Sequence, residues 1–355
     1  MNLHKKLFAR AAGALVAAVA LVAAASTAFA QGFNEKAVAD FYNGKTIRIV
    51  VGFAPGASFD LTARALSRHM GRYIPGNPTI IVENVAGAGT LLAMNRVYAQ
   101  MPKDGTVIAS VIGDVIKHQL FGNSAAQFDV NKMRILSAPA EISHMLVVTR
   151  DSGVNALSEI VGANSAKKVK IGATGKGTSV ANSAFLAKMV VDLNYDIVTG
   201  YEGFAKVKLA MEQGEVNATF NNIHELMGLY RDKIESGEWK IIAQSTEKPH
   251  PRAPNVPVLA ELARTPELRN LQLLGAVMPM RFAFMYALAA GVPDDRGLAL
   301  EQAMDKTLAD KAFVEDMVKT GLVVDPIPAA EMRRMVQTFM TMSQEAKEKL
   351  APVIN

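Results

Sequence analysis

The chain has 355 residues, half of them hydrophobic, with no cysteine and a formal net charge of +5. Without cysteine there is no disulfide, no thiol nucleophile and no thiolate metal site, so the core itself must hold the chain together. Setting aside Lys5, Lys6 and Arg10 at the N-terminus leaves 35 basic residues against 33 acids, or +2, which gives little electrostatic reason to expect nucleic acid as a partner.

Residues 1–30 read as a secretory signal peptide. Lys5, Lys6 and Arg10 precede the apolar run AAGALVAAVALVAAA, which is shorter than the ~20 residues a spanning helix needs. Ala28-Phe29-Ala30 supplies a small-x-small pattern that places cleavage near Ala30. The mature chain is then expected in the periplasm.

The run TIRIVV, residues 46–51, predicts a buried strand. It feeds the loop of VGFAPGASFD, residues 51–60, after which Ala63, Leu66, Met70 and Ile74 recur at helical spacing. Ser58 and Asp60 are both residue types that cap helices. The loop lacks the Gly-Lys-Ser/Thr of a phosphate loop and the G-x-S-x-G of a hydrolase elbow. Gly56, Ala57, Ser58 and Phe59 open a helix, where small residues and unpaired N–H groups suit an anion; a plain strand-to-helix turn has the same composition. GNPTIIVEN is the next strand. NVAGAGT, residues 84–90, either closes a cavity beside the first loop or simply enters the helix over 91–100. PKDGTVIASVI is a turn and a third strand, so the order predicts a parallel α/β sheet.

The pattern restarts at KKVKIGATGKGTSVANSAFLAKMVV. Within it GATGKGTS, residues 172–179, fails as a phosphate loop because its lysine precedes the last glycine. Thr174, Thr178 and Ser179 offer hydroxyls, and Gly175 and Gly177 offer bare backbone, so the segment is a second anion cradle or a second plain turn. YDIVTGYEG, FAKVKLAMEQG and EVNATFNN follow as strand, helix and strand. Asn221 and Asn222 at that strand's end either meet a ligand carboxylate or cap the next helix. WKIIAQS is a further strand, and KPHPRAPNVPVLAEL, with four prolines, reads as a surface connection. Residues 294–349 read mostly as amphipathic helices interrupted by GLVVDPIP. His69, His118, His144 and His250 are scattered, and His224-Glu225 lacks H-E-x-x-H, so no metal and no cofactor is expected.

Taken together and in order, these stretches resemble the substrate-binding proteins of tripartite tricarboxylate transporters, also called the Bug family of periplasmic receptors. IRIVVGFAPGASFDLTAR is similar to that family's opening, with Pro55, Gly56, Asp60, Ala63 and Arg64 in place. IIVENVAGAGT, PKDGTVIAS, IGATGKGTSVAN, GYEGFAKVKLAMEQGEVNATF and AQSTEKPHPRAPNVPVLAEL resemble its later segments. Three features depart from the family pattern. Ala57 replaces a glycine, Glu202 stands where a lysine is common, and GAVMPMRFAFMYALAAGVP, residues 275–293, lacks the usual wording.

The resemblance implies a type II periplasmic binding protein of Venus-flytrap form: two α/β lobes, two hinge strands and a ligand in the central cleft. Lobe 1 would comprise residues 31–141 and 246–355, and lobe 2 residues 142–245. The ligand would be a small carboxylate: a di- or tricarboxylate, an acidic amino acid or an aromatic acid. The implied contacts are Phe53, Ala57, Ser58, Phe59 and Asp60 in the first loop and Gly87 and Ala88 in the Gly-Ala-Gly loop. Thr174, Gly175, Thr178, Ser179 and Asn221 would face them from lobe 2. Phe53 and Phe59 either meet an aromatic ligand or pack beneath the loop, and Asp60 either caps its helix or accepts from a ligand donor. The implied partners are the membrane subunits of the transporter, with the receptor itself a monomer. A sensor feeding a two-component kinase is the alternative, and an enzyme on the same fold a more distant one.

Overall fold

A computed structural model describes residues 32–162, 165, 167–175 and 177–354. The expected signal peptide and its cleavage site lie outside those residues. The described chain forms β1 (Thr46–Val51), β2 (Thr79–Asn84), β3 (Val107–Ile112) and β4 (Arg134–Ile135), then β5 (His144–Thr149), β6 (Val169–Thr174), β7 (Tyr195–Tyr201), β8 (Ala218–Asn222) and β9 (Trp239–Ser245), and finally β10 (Phe284–Leu288). They make two five-stranded sheets of order β2-β1-β3-β10-β4 and β7-β6-β8-β5-β9.

In each sheet the strand-helix-strand units pair in parallel, as their sequence order predicts: β1 lies between β2 and β3, and β6 between β7 and β8. The rest of each sheet is antiparallel. β10 runs against β3 and β4, and β5 against β8 and β9. The purely parallel sheet expected from βα order is therefore a mixed one, because β5 and β10 are the strands by which the chain arrives from the other sheet. It crosses once between β4 and β5 and again between β9 and β10.

Burial follows the pleat. On β5, Leu146 and Val148 join Ile171, Tyr195 and Phe220 on one face, while Met145 and Val147 join Trp239 and Leu226 on the other. β1 contributes Ile47, Ile49, Val50 and Val51, all fully buried, to the core of the first sheet. That core also takes Leu186 from the second sheet's helix Ser179–Val191, together with Leu350 of the C-terminal helix Gln344–Ile354. The crossing into β5 is pinned by Ile142 N–H donating to the Met280 carbonyl at 2.9 Å and by a bridge between Ala138 and Ile327.

The four-proline stretch is more than a surface connection. The Gln244 side chain donates to the Ala253 and Val256 carbonyls at 3.0 and 2.6 Å, and Val258, Leu259 and Ala260 are buried. The C-terminal helices Asp294–Leu308, Lys311–Lys319, Ala329–Met340 and Gln344–Ile354 match the amphipathic reading, and the break between the second and third of them begins beside the cavity described next. No helix among the described residues is long and apolar enough to cross a membrane.

Candidate functional site

A cavity of about 570 Å³ takes its walls from both sheets. The exit of β1 supplies Phe53, Gly56 and Ser58; the exit of β6 supplies Thr174, Ser179 and Val180. Asn221, His224 and Glu225 close it at the end of β8, while Glu141 and His144 come from the crossing segment. Phe284 of β10 and residues 320–323 complete the wall.

The first loop owes its shape to Asp60. Gly56 turns the chain with φ of +85°, a conformation that costs glycine little, and Ala57 becomes the N-cap of helix Ser58–His69 without a side-chain hydrogen bond. Asp60 is 1% exposed and reaches back to accept the Gly56 N–H at 2.8 Å, one residue before the N-cap Ala57, a near relative of the capping box. It also accepts from Arg64 Nε at 2.9 Å and from Asn84 Nδ2 at 2.9 Å, and the same Asn84 amide donates to the Phe53 carbonyl at 3.0 Å. Burial pushes the Asp60 carboxyl up, but the Arg64, Gly56 and Asn84 donors outweigh it and hold the group below its ordinary range. Asp60 thus braces the loop from behind, and the first-turn N–H groups, with no side chain capping them, form the positive end of the helix beside the cavity.

Beneath the loop three aromatic rings stack. Phe59 lies between Phe53 and Phe284, with centroid separations of 4.3 Å on each side. Phe59 is buried and does not line the cavity, whereas its two neighbours do. Phe284 belongs to the divergent segment 275–293, so that departure from the family pattern supplies part of the wall. Glu202 is exposed and lies outside the lining.

The second loop is built differently. Thr178 is the N-cap of helix Ser179–Val191 and its hydroxyl accepts from Ala181 N–H at 3.5 Å. The Thr174 and Thr178 hydroxyls bond each other at 2.7 Å, tying β6 to the helix start. Lys117, beyond β3, donates to the Gly177 carbonyl at 2.5 Å and pairs with Asp114 at 2.7 Å, which joins the first sheet's side to this loop.

Of the residues expected at the site, Phe53, Ser58, Thr174, Ser179 and Asn221 line the cavity. Ala57, Phe59, Asp60, Gly175 and Thr178 sit in the two loops without lining it, and Gly87 and Ala88 lie beyond β2, also outside the lining. Sequence reasoning missed Glu141, His144, Phe204, His224, Glu225 and Phe284. The His224-Glu225 pair was visible, but only as an incomplete metal motif. Burial lowers the His144 and His224 imidazoles to about 4, with the Arg252 and His250 charges adding to the effect on His224, so both rings are neutral near pH 7. Burial raises the Glu225 carboxyl.

Two mixed sheets, two chain crossings and a cavity flanked by two helix N-termini are the architecture of the periplasmic binding protein fold. The sequence profile of the tripartite tricarboxylate transporter family receptors matches residues 62–355, and the chain belongs to that family. A UPF0065 protein of Bordetella pertussis is 25% identical over 342 residues, covering 96% of this chain and 95% of its own length. The fold is shared with a solute-binding protein of this family from Polaromonas at a TM-score of 0.64 and 17% identity, covering 87% of this chain and all of the other. It is also shared with MatC from Rhodopseudomonas palustris with bound malate, at a TM-score of 0.59 and 19% identity, covering 88% and 99%. The family is one of receptors rather than enzymes.

Proposed function

We propose that this protein is an extracytoplasmic receptor that binds a small carboxylate in the cavity and delivers it to the membrane subunits of a tripartite tricarboxylate transporter. The observation that carries the reading is the pair of glycine-loop helix starts, one from each sheet, lining one cavity. Each presents first-turn N–H groups and the positive end of a helix, which favour an anion without any charged side chain. Malate bound in a relative of the same fold agrees with a carboxylate solute.

Residues 31–141 with 246–355 form one lobe on this reading, residues 142–245 the other, and the two crossings are the hinge. A solute that touches both loops favours the closed arrangement, since only there does it meet both sets of donors. Phe53, Ser58, Thr174, Ser179 and Asn221 touch the solute. Ala57, Phe59, Asp60, Gly87, Ala88, Gly175 and Thr178 shape the loops that present them. The leader sends the chain to the periplasm, where it acts as a monomer.

The test is a thermal-shift screen of residues 31–355, refolded free of ligand, against carboxylic acids, sugars and nucleotides. A native-state ligand at a hundred times its Kd adds about 2.7 kcal/mol of stability, a visible rise in Tm. The expected outcome is a shift confined to carboxylic acids. A shift from sugars or nucleotides with silence from every acid overturns the reading.

A further inference from the structure

Resting on that reading of the cavity, we propose that the solute is an amino-carboxylate, whose cationic nitrogen pairs with Glu225. Among the described residues no lysine or arginine lines the cavity. Its two carboxylates differ in their partners. Glu141 pairs with Arg281 at 3.1 Å and accepts from the Ser143 hydroxyl at 3.0 Å. Glu225 is half-buried and pairs with no cation among the described residues; the donor beside it is the Asn221 side-chain amide, which only partly offsets the effect of burial on the carboxyl. A carboxylate drawn out of water with no cation beside it is costly, and the missing cation is one the solute can bring.

That amide has donor capacity to spare. Asn221 is 5% exposed, lines the same cavity, and its Nδ2 has no hydrogen-bond partner, while its Oδ1 is already used by the Asn222 N–H at 2.8 Å. One wall therefore sets the Asn221 amide, short of full hydrogen-bond geometry, beside the Glu225 carboxylate, on the strand end and the helix that follows it. A carboxylate oxygen satisfies the first and an ammonium the second. His144 and His224 are held neutral, so neither offsets the Glu225 charge. A dicarboxylate would bring its second negative charge to an unpaired carboxylate, which opposes binding. The rest of the wall is largely apolar, with Phe53, Leu61, Phe204, Phe284 and Leu322, which suits a hydrocarbon body on that polar head.

Four six-carbon acids separate the possibilities: hexanoate, adipate, 2-aminohexanoate and 6-aminohexanoate, titrated calorimetrically into the refolded wild-type protein and into Glu225→Gln. We expect one amino acid to bind at least about tenfold tighter than hexanoate and adipate, with its isomer marking where the nitrogen sits. Glu225→Gln should erase that preference, with hexanoate and adipate bound no more weakly than by the wild type. In the wild type, amino-acid affinity should also fall as pH drops and Glu225 takes up a proton, a readout that stands if the variant does not fold. Adipate or hexanoate binding as tightly as both amino acids, or a preference that survives Glu225→Gln, overturns the inference and leaves the carboxylate receptor standing. If all four acids are silent, the carboxylate found by the wider screen decides: one with a cationic nitrogen supports the inference and one without overturns it. Silence from every carboxylic acid overturns both.

Discussion

Asp60→Ala should lower the stability of the protein by about 3 kcal/mol, the low end of the cost of removing one partner from a buried ion pair. Three donors lose their acceptor at once: the Gly56 N–H, Arg64 Nε and Asn84 Nδ2. Arg64 is partly exposed and can turn to water, which limits the loss. The Gly56 N–H and the Asn84 amide sit behind the loop, and Asn84 also holds the Phe53 carbonyl. Releasing them frees the loop that carries Ser58, so solute binding should weaken as well. Urea unfolding reads the first effect and calorimetric titration the second. Asp60→Asn should recover only part of the loss, because the neutral amide is a weaker acceptor and brings an N–H group toward existing donors. Unchanged stability in Asp60→Ala would remove Asp60 from the role of brace.

Acid should destabilise the protein well before its carboxylates titrate, and His144 should account for a large share. Its imidazole is buried between the sheets' crossing segment and the helix Ser179–Val191, with Nδ1 2.9 Å from the Ser183 hydroxyl, and burial lowers its pKa to about 4. In the unfolded chain histidine titrates near 6.5. Between about 6.5 and about 4 the unfolded state binds a proton that the native state refuses, so stability falls as pH falls through that window and levels off below it for this group. The difference of roughly 2.5 pH units corresponds to about 3 kcal/mol. Half-buried His224 adds a smaller term of the same sign. Asp60 acts lower: its depressed native pKa gives stability that is present above an unfolded value of about 3.9 and is lost as pH falls through the native one. Urea midpoints at pH 7.5, 5.5 and 4.5 for wild type and His144→Gln separate these windows. The variant should show a flatter slope between the first two values of pH and 4.5. Parallel curves would mean that His144 titrates normally in the native state.

The local grammar of the chain was legible where one segment decides its own conformation. TIRIVV is β1, the apolar spacing after Asp60 is the helix Ser58–His69, and both glycine loops open helices beside the cavity. The family motif at Pro55, Gly56, Asp60 and Arg64 is physically one device, since Asp60 joins Gly56, Arg64 and the Asn84 of the next motif. What the sequence hid depends on contacts between distant segments. Phe284 reaches the cavity because β10 inserts between β3 and β4, and nothing local in FAFMY announces that pairing. Glu141 and His144 matter because the chain changes sheets there. Glu225 shows in the sequence only as half of an incomplete metal motif until the fold turns it into a cavity that no cation lines among the described residues. The antiparallel halves of both sheets were hidden for the same reason: strand direction at a crossing is set by where the chain comes from, not by residue pattern.

A crystal structure of the refolded receptor with the carboxylate that raises its Tm most tests the site directly. The expected result is a carboxylate whose oxygens lie about 3 Å from first-turn N–H groups of the Ser58–His69 or Ser179–Val191 helix. A carboxylate bound away from both helix starts would contradict the assignment of the cavity and of the two loops that frame it.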